Sequence, residues 1–215
     1  MREKFDEQLD ELNKQFILLG SVCEKNIAKD AEAIRNHDRE EALSVFNQEY
    51  DLNNRGRDIE RLCLSLILRQ QPVASDLRLV SGVLKMVTDL DRIGAQAGDI
   101  AEIIMKYDFS HKGEDQDLLL KMADECVKVL HAAIDAYVRL DQKTAEEVLR
   151  MDDSVDQYFA MVKEAIIQEV SRSEAPKISF DVILMAKYLE RIGDHCCNIA
   201  QWVLYIITGK QPGTR

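Results

Sequence analysis

Apolar residues recur along this chain at steps of three and four almost without interruption, the signature of amphipathic helices. Leu9, Leu12, Phe16, Leu19, Cys23 and Ile27 form one such stripe. The spacing predicts helices over about 4–35, 39–70, 76–107, 115–140, 143–172 and 179–208. Asn36-His37-Asp38 interrupts the first pair, and Asp38 is placed to cap the second helix. Pro72 and Pro176 stand just before the third and sixth helices, where proline is tolerated. Asp108 to Gly113 is polar and contains glycine, as a boundary should be. No segment reads as a strand.

Two segments about a hundred residues apart are nearly the same. Residues 90–101 read LDRIGAQAGDIA and residues 189–200 read LERIGDHCCNIA, with six identical positions and Asp91 answering Glu190. The third helix therefore has a copy in the sixth. The second has a copy in the fifth: Ala42, Val45, Glu49, Leu52 and Asn53 answer Ala145, Val148, Asp152, Val155 and Asp156. The chain is a duplicated unit. Short connections make neighbouring helices antiparallel. The expected fold is all-α, a tandem repeat of two antiparallel three-helix bundles. The first spans 1–108, the second 114–209, and 210–215 is a polar tail.

The duplication aligns acids with acids inside apolar helices. Glu190 with Asp194, and Asp152 with Asp156, stand at i and i+4, one turn apart on one helix face. Such like-charged pairs repel, and a hard cation reverses the sign. Spacing alone is weak: with 39 acidic residues in 215, about seven such pairs arise by chance. The matching of positions between halves raises the signal. In the first half Glu49 and Asp91 keep one acid each, because Asn53 and Ala95 replace the second. The competing reading is salt bridging to the adjoining Arg92 and Arg191.

His195, Cys196 and Cys197 cannot all reach one ion, since consecutive helical residues fan out around the axis. Cys196 and Cys197 read as small core residues, and His131 with Asp135 as a solvated pair. Gly94 and Gly193, each mid-helix, point to close helix approach. The chain has no phosphate-binding glycine loop and no nucleophile elbow. It has no Glu-x-x-His either, which disfavours a di-iron carboxylate enzyme.

A formal net charge of −11 disfavours nucleic acid and anionic membrane surfaces as partners. No apolar run is long enough to span a bilayer, so no membrane insertion is expected. Five cysteines, an odd number without a secretion signal, read as reduced thiols of a cytoplasmic protein.

The chain resembles the PhoU family. The resemblance rests on Gln70-Gln71-Pro72-Val73-Ala74-Ser75-Asp76-Leu77-Arg78, on Tyr188 to His195 with its first-half counterpart Asp89 to Gly94, and on Asn198 to Gly209. It covers essentially the whole chain. It implies negative regulation of phosphate uptake and of the phosphate-starvation response, with no enzymatic activity. The implied partners are the ATPase subunit of the phosphate ABC transporter and a membrane sensor histidine kinase. It also implies a homodimer and an iron or zinc cluster held by Glu/Asp-x-x-x-Asp pairs. In this sequence those are Asp152 with Asp156 and Glu190 with Asp194; Glu49 and Asp91 are the half-kept first-half positions, where metal is expected to be weak or absent. The alternative reading is a carboxylate-cluster metalloprotein with enzymatic activity. The acidic charge and lack of an anion cradle disfavour direct phosphate sensing by side chains.

Overall fold

The computed structural model describes residues 2–70, 72–107, 114–172 and 180–211. Six helices follow one another: α1 (Arg2–Asn36), α2 (Arg39–Gln70), α3 (Ala74–Lys106), α4 (Glu114–Arg139), α5 (Gln142–Arg172) and α6 (Phe180–Thr208). They match the six helices expected from periodicity, with ends displaced by at most a few residues. No strand occurs among the described residues. Pro72 stands two residues before α3. The linker from Asp108 to Gly113, Pro176 and the end of the tail lie outside the described residues.

The turn from α1 to α2 and the turn from α4 to α5 use the same device. His37 and Leu140 adopt left-handed φ values of 58° and 48°. The next amide reaches back to the preceding helix, Asp38 N to Ala33 O at 2.9 Å and Asp141 N to Ala136 O at 3.0 Å. That same aspartate then caps the following helix. Asp38 Oδ1 accepts from the amides of Glu40 and Glu41 at 2.9 and 3.0 Å. Asp141 Oδ1 accepts from Lys143 N at 2.9 Å, and its Oδ2 from Thr144 Oγ1 at 2.7 Å.

Within each half the third helix closes the bundle against the other two. Cys23 donates to the Leu90 carbonyl at 3.5 Å, and its repeat mate Cys126 to the Leu189 carbonyl at 3.3 Å. All five cysteines are free, four of them fully buried. The predicted α1 stripe from Leu12 through Ile27 is core, and Leu9 packs against it.

The halves join along two seams, α1 against α4 and α3 against α6. On the first, Gly20 receives Ile134, and Phe16 stacks edge-on against Tyr137 at 4.7 Å. On the second, Gly82 receives Ile206, and Asp89 Oδ1 accepts from His195 Nδ1 at 2.9 Å and Asn198 Nδ2 at 3.1 Å. Helices α2 and α5 are outermost: α2 packs only against α1 and α3, and α5 only against α4 and α6. Among the described residues no helix is long and apolar enough to cross a membrane.

Candidate functional site

The acids singled out by the repeat line two equivalent grooves, α2 against α3 and α5 against α6. Three of them face a glycine of the opposite helix. A Cβ on Gly98 would lie 2.9 Å from Glu49 Oε2. A Cβ on Gly56 would overlap the Asp91 carboxylate, and one on Gly193 would overlap Asp152 Oδ1. The close approach expected at Gly94 and Gly193 is present: Gly94 receives Leu52, and Gly193 receives Asp152 and Val155. The glycines let the backbones draw together so that a carboxylate fits between two helices.

In the second half the structure brings Asp152, Asp156 and Asp194 into one electrostatic neighbourhood. Burial first, and then the charges of Asp156, Asp194 and Asp153, push Asp152 above the usual carboxylate range; Cys197, donating to it, works the other way. Asp194 is raised by burial and then by Glu190 and Asp156. The Cys197 thiol is pushed up to about 12 by burial and by Asp152. Glu190 stands at the edge of this group and is ion-paired with Lys187. Lys187 Nζ also lies 5.5 Å from the centre of the Phe159 ring, and Lys163 Nζ lies 4.5 Å from it.

The first half is arranged differently. Glu49 is raised by burial and by Asp99 and Glu102, two acids outside the repeat motif. Asp91 is raised to about 6 by burial and by Glu60, against the pull of Arg57 and Arg92. Its Oδ1 is buried with no hydrogen-bond partner. The structure does not bring Glu49 and Asp91 together. Asp91 faces Gly56, seven residues along α2 from Glu49, a rise of about 10 Å.

The difference has a counterpart in the sequence. Phe159 occupies the position in α5 that Gly56 occupies in α2, and Lys163 the position of Glu60. Phe159 carries a ring where Gly56 has no side chain, and on this side Glu190 pairs with Lys187, which also lies over that ring. Asp99 and Glu102 were legible in principle, since they continue the face of Asp91 and Ala95 at steps of four and three.

Among the described residues, the salt bridges expected from Arg92 and Arg191 are not formed at the repeat acids: the two arginines act on acids only through their charge, and the ion pair at Glu190 is made by Lys187. Arg92 does act on Asp91, but Arg191 acts on Asp99 of the other half, and Lys187 takes Glu190. His195 turns away from the acids to Asp89, and Cys196 is core. His131 pairs with Glu24 at 3.1 Å and Asp135 with Arg139 at 2.8 Å, on the surface. Among the described residues no three His, Cys, Asp or Glu side chains are gathered closely enough to hold a metal ion. Asp152, Asp156 and Asp194 supply carboxylate oxygens whose like charges help to raise the carboxyls of Asp152 and Asp194, but in this arrangement they do not form a closed ligand set.

A duplicated three-helix bundle with acid-lined grooves between its second and third helices defines a class of all-α repeat proteins. The PhoU domain matches residues 16–104 and again 119–203. The phosphate-specific transport system accessory protein PhoU homolog of Clostridium acetobutylicum is 32% identical, over 98% of this chain and 97% of its own. The PhoU accessory protein of Serratia marcescens is 30% identical, over 96% of this chain and 86% of its own. Two crystal structures superimpose throughout. The phosphate transport system regulatory protein PhoU of Streptococcus pneumoniae has a TM-score of 0.90 at 25% identity, covering 98% of this chain and 100% of that one. PhoU of Pseudomonas aeruginosa has a TM-score of 0.89 at 27% identity, covering 96% and 100%. This chain belongs to the PhoU family.

Proposed function

We propose that this protein is a non-enzymatic regulator of phosphate uptake and of the phosphate-starvation response. It acts in the cytoplasm as a homodimer that links the ATPase subunit of the phosphate ABC transporter to a sensor histidine kinase and keeps the response off when phosphate is plentiful. The two repeats, 1–108 and 114–209, are its structural units. The observation that carries the reading is the match of both repeats to proteins named as accessory and regulatory components of phosphate transport, over nearly the full length of each. Deleting the gene and measuring alkaline phosphatase expression at high phosphate tests it. Derepression is expected, and unchanged expression overturns the regulatory assignment.

The second-half acids hold an iron or zinc ion in the loaded protein, with Asp152, Asp156 and Asp194 as ligands. Glu190 joins them only after release from Lys187. The cation offsets the repulsion that now raises Asp152 and Asp194. Phosphate is sensed through the partners: the net charge of −11 repels the anion. Calorimetry with phosphate and metal-free protein checks this, and tight binding contradicts it.

A further inference from the structure

The outer face of α2 is turned away from both of its neighbours, yet it is not an ordinary wet face. Leu43, Phe46, Tyr50, Leu64 and Leu68 are all exposed along it, Tyr50 and Leu68 by more than three quarters of their surface. They follow one another at steps of three and four, with Asn54, Arg57 and Arg61 completing the row between Tyr50 and Leu64. The row is about 37 Å long. Exposed apolar side chains scattered singly need no explanation, but two apolar clusters on one helix face, Leu43-Phe46-Tyr50 and Leu64-Leu68, do.

We propose that this row is the contact face of a second copy of the chain, paired antiparallel through α2 about a two-fold axis. The inference rests on the homodimer proposed above and assigns its surface. A two-fold interface must be complementary to itself, and this row begins and ends in apolar side chains around a polar middle. Leu43 answers Leu68, Phe46 answers Leu64, Tyr50 answers Arg61, and Asn54 answers Arg57. Each pair is equidistant, within one residue, from the Arg55–Gly56 bond. Pairing two copies there sets leucine against leucine at both ends and Phe46 against the partner's Leu64. It lays the partner's Arg61 over the Tyr50 ring, a cation–π contact. Asn54 meets the partner's Arg57 near the axis.

The equivalent face of α5 cannot do this. It carries Glu146, Asp153 and Glu164 where α2 has Leu43, Tyr50 and Arg61, and two such faces repel. A basic partner segment is disfavoured on α2 because Arg57 and Arg61 occupy the middle of the row. Helix α2 is free to take a partner because it packs only on α1 and α3.

Sedimentation velocity of the full chain between about 1 and 100 µM tests the pairing. The wild type is expected to sediment as a dimer. Leu43→Lys and Leu68→Glu each place a charge against a leucine and are expected to give monomers; circular dichroism melts establish that both fold. The double variant sets each lysine against a glutamate of the other copy and is expected to restore the dimer. If the wild type is dimeric and the single variants stay dimeric, the α2 face is wrong and the homodimer stands. A double variant that stays monomeric overturns the antiparallel register. A wild type that is monomeric throughout overturns both.

Discussion

Asp91 of α3 lies with its carboxylate in the space that a side chain on Gly56 of α2 would fill. The fit has a penalty, because one of its oxygens is buried and unpartnered and Glu60 adds repulsion. The folded protein therefore favours the protonated form, with a value of about 6 against an ordinary 3.8. The group's contribution to stability is fully present below about pH 4 and is lost as the pH rises through about 6. Asp91→Asn is expected to match the wild type in urea denaturation at pH 4. At pH 7.5 it is expected to be more stable by on the order of 1 kcal/mol, a figure reduced for partial solvent screening. Gly56→Ala costs about 1–3 kcal/mol by overpacking and drives Asp91 outward. In that background the gain from Asp91→Asn should vanish, and a gain that persists would show that the niche is not what raises Asp91.

The metal assignment separates the two halves. Asp156→Asn and Asp194→Asn are each expected to strip most of the iron or zinc from the purified protein, measured by elemental analysis, because each removes a ligand. Glu49→Gln is expected to leave it unchanged. Lys187→Met releases Glu190 and is expected to tighten metal retention during dialysis against a chelator. Metal content indifferent to Asp194→Asn places the ion elsewhere.

The duplicated fold was legible in the sequence because helical periodicity is a local signal and a repeat compares the chain with itself. Asp38 as a cap was legible for the same reason. The site was legible only in part. Asp152, Asp156 and Asp194 lie near enough for their charges to act on one another, but among the described residues they are not gathered closely enough to hold a metal ion. Glu190 is held by Lys187 three residues before it on its own helix, an ion pair that the repeat with Asp91 does not announce. The pairing of His195 with Asp89 spans 106 residues of sequence, and no local pattern announces it. Asp99 and Glu102 lie outside the i, i+4 pair, further along the same helix face.

Leu140 holds a left-handed φ of 48° in the turn that joins α4 to α5. A side chain in that conformation is strained by about 1 kcal/mol, and glycine relieves it while adding freedom to the unfolded chain. Leu140 is also 44% exposed, so little packing is lost with it. Leu140→Gly is expected to raise stability by about 0.5 kcal/mol, read from the urea midpoint at constant slope. A loss of stability would mean that the leucine side chain contributes more by packing than its backbone conformation takes away.

Asp30 presents the same physics as Asp91 in a drier place. It lies on α1 at 2% exposure, one turn from Asn26, and neither carboxylate oxygen has a hydrogen-bond partner. Burial raises its carboxyl well above the ordinary 3.8, Glu41 adds to the effect, and Lys29 opposes it. A buried charge without a partner is far more costly than a buried neutral group. The protonated form is therefore the one the fold accepts, and stability falls as the pH climbs from about 4 toward the raised value. Asp30→Asn keeps the shape and cannot ionise. Its melting temperature is expected to equal that of the wild type at pH 4 and to exceed it once the pH rises above the ordinary carboxylate range, by several degrees for a chain of this size. Parallel pH profiles for the two proteins would mean that water or a counter-charge reaches Asp30 and that the core around it opens.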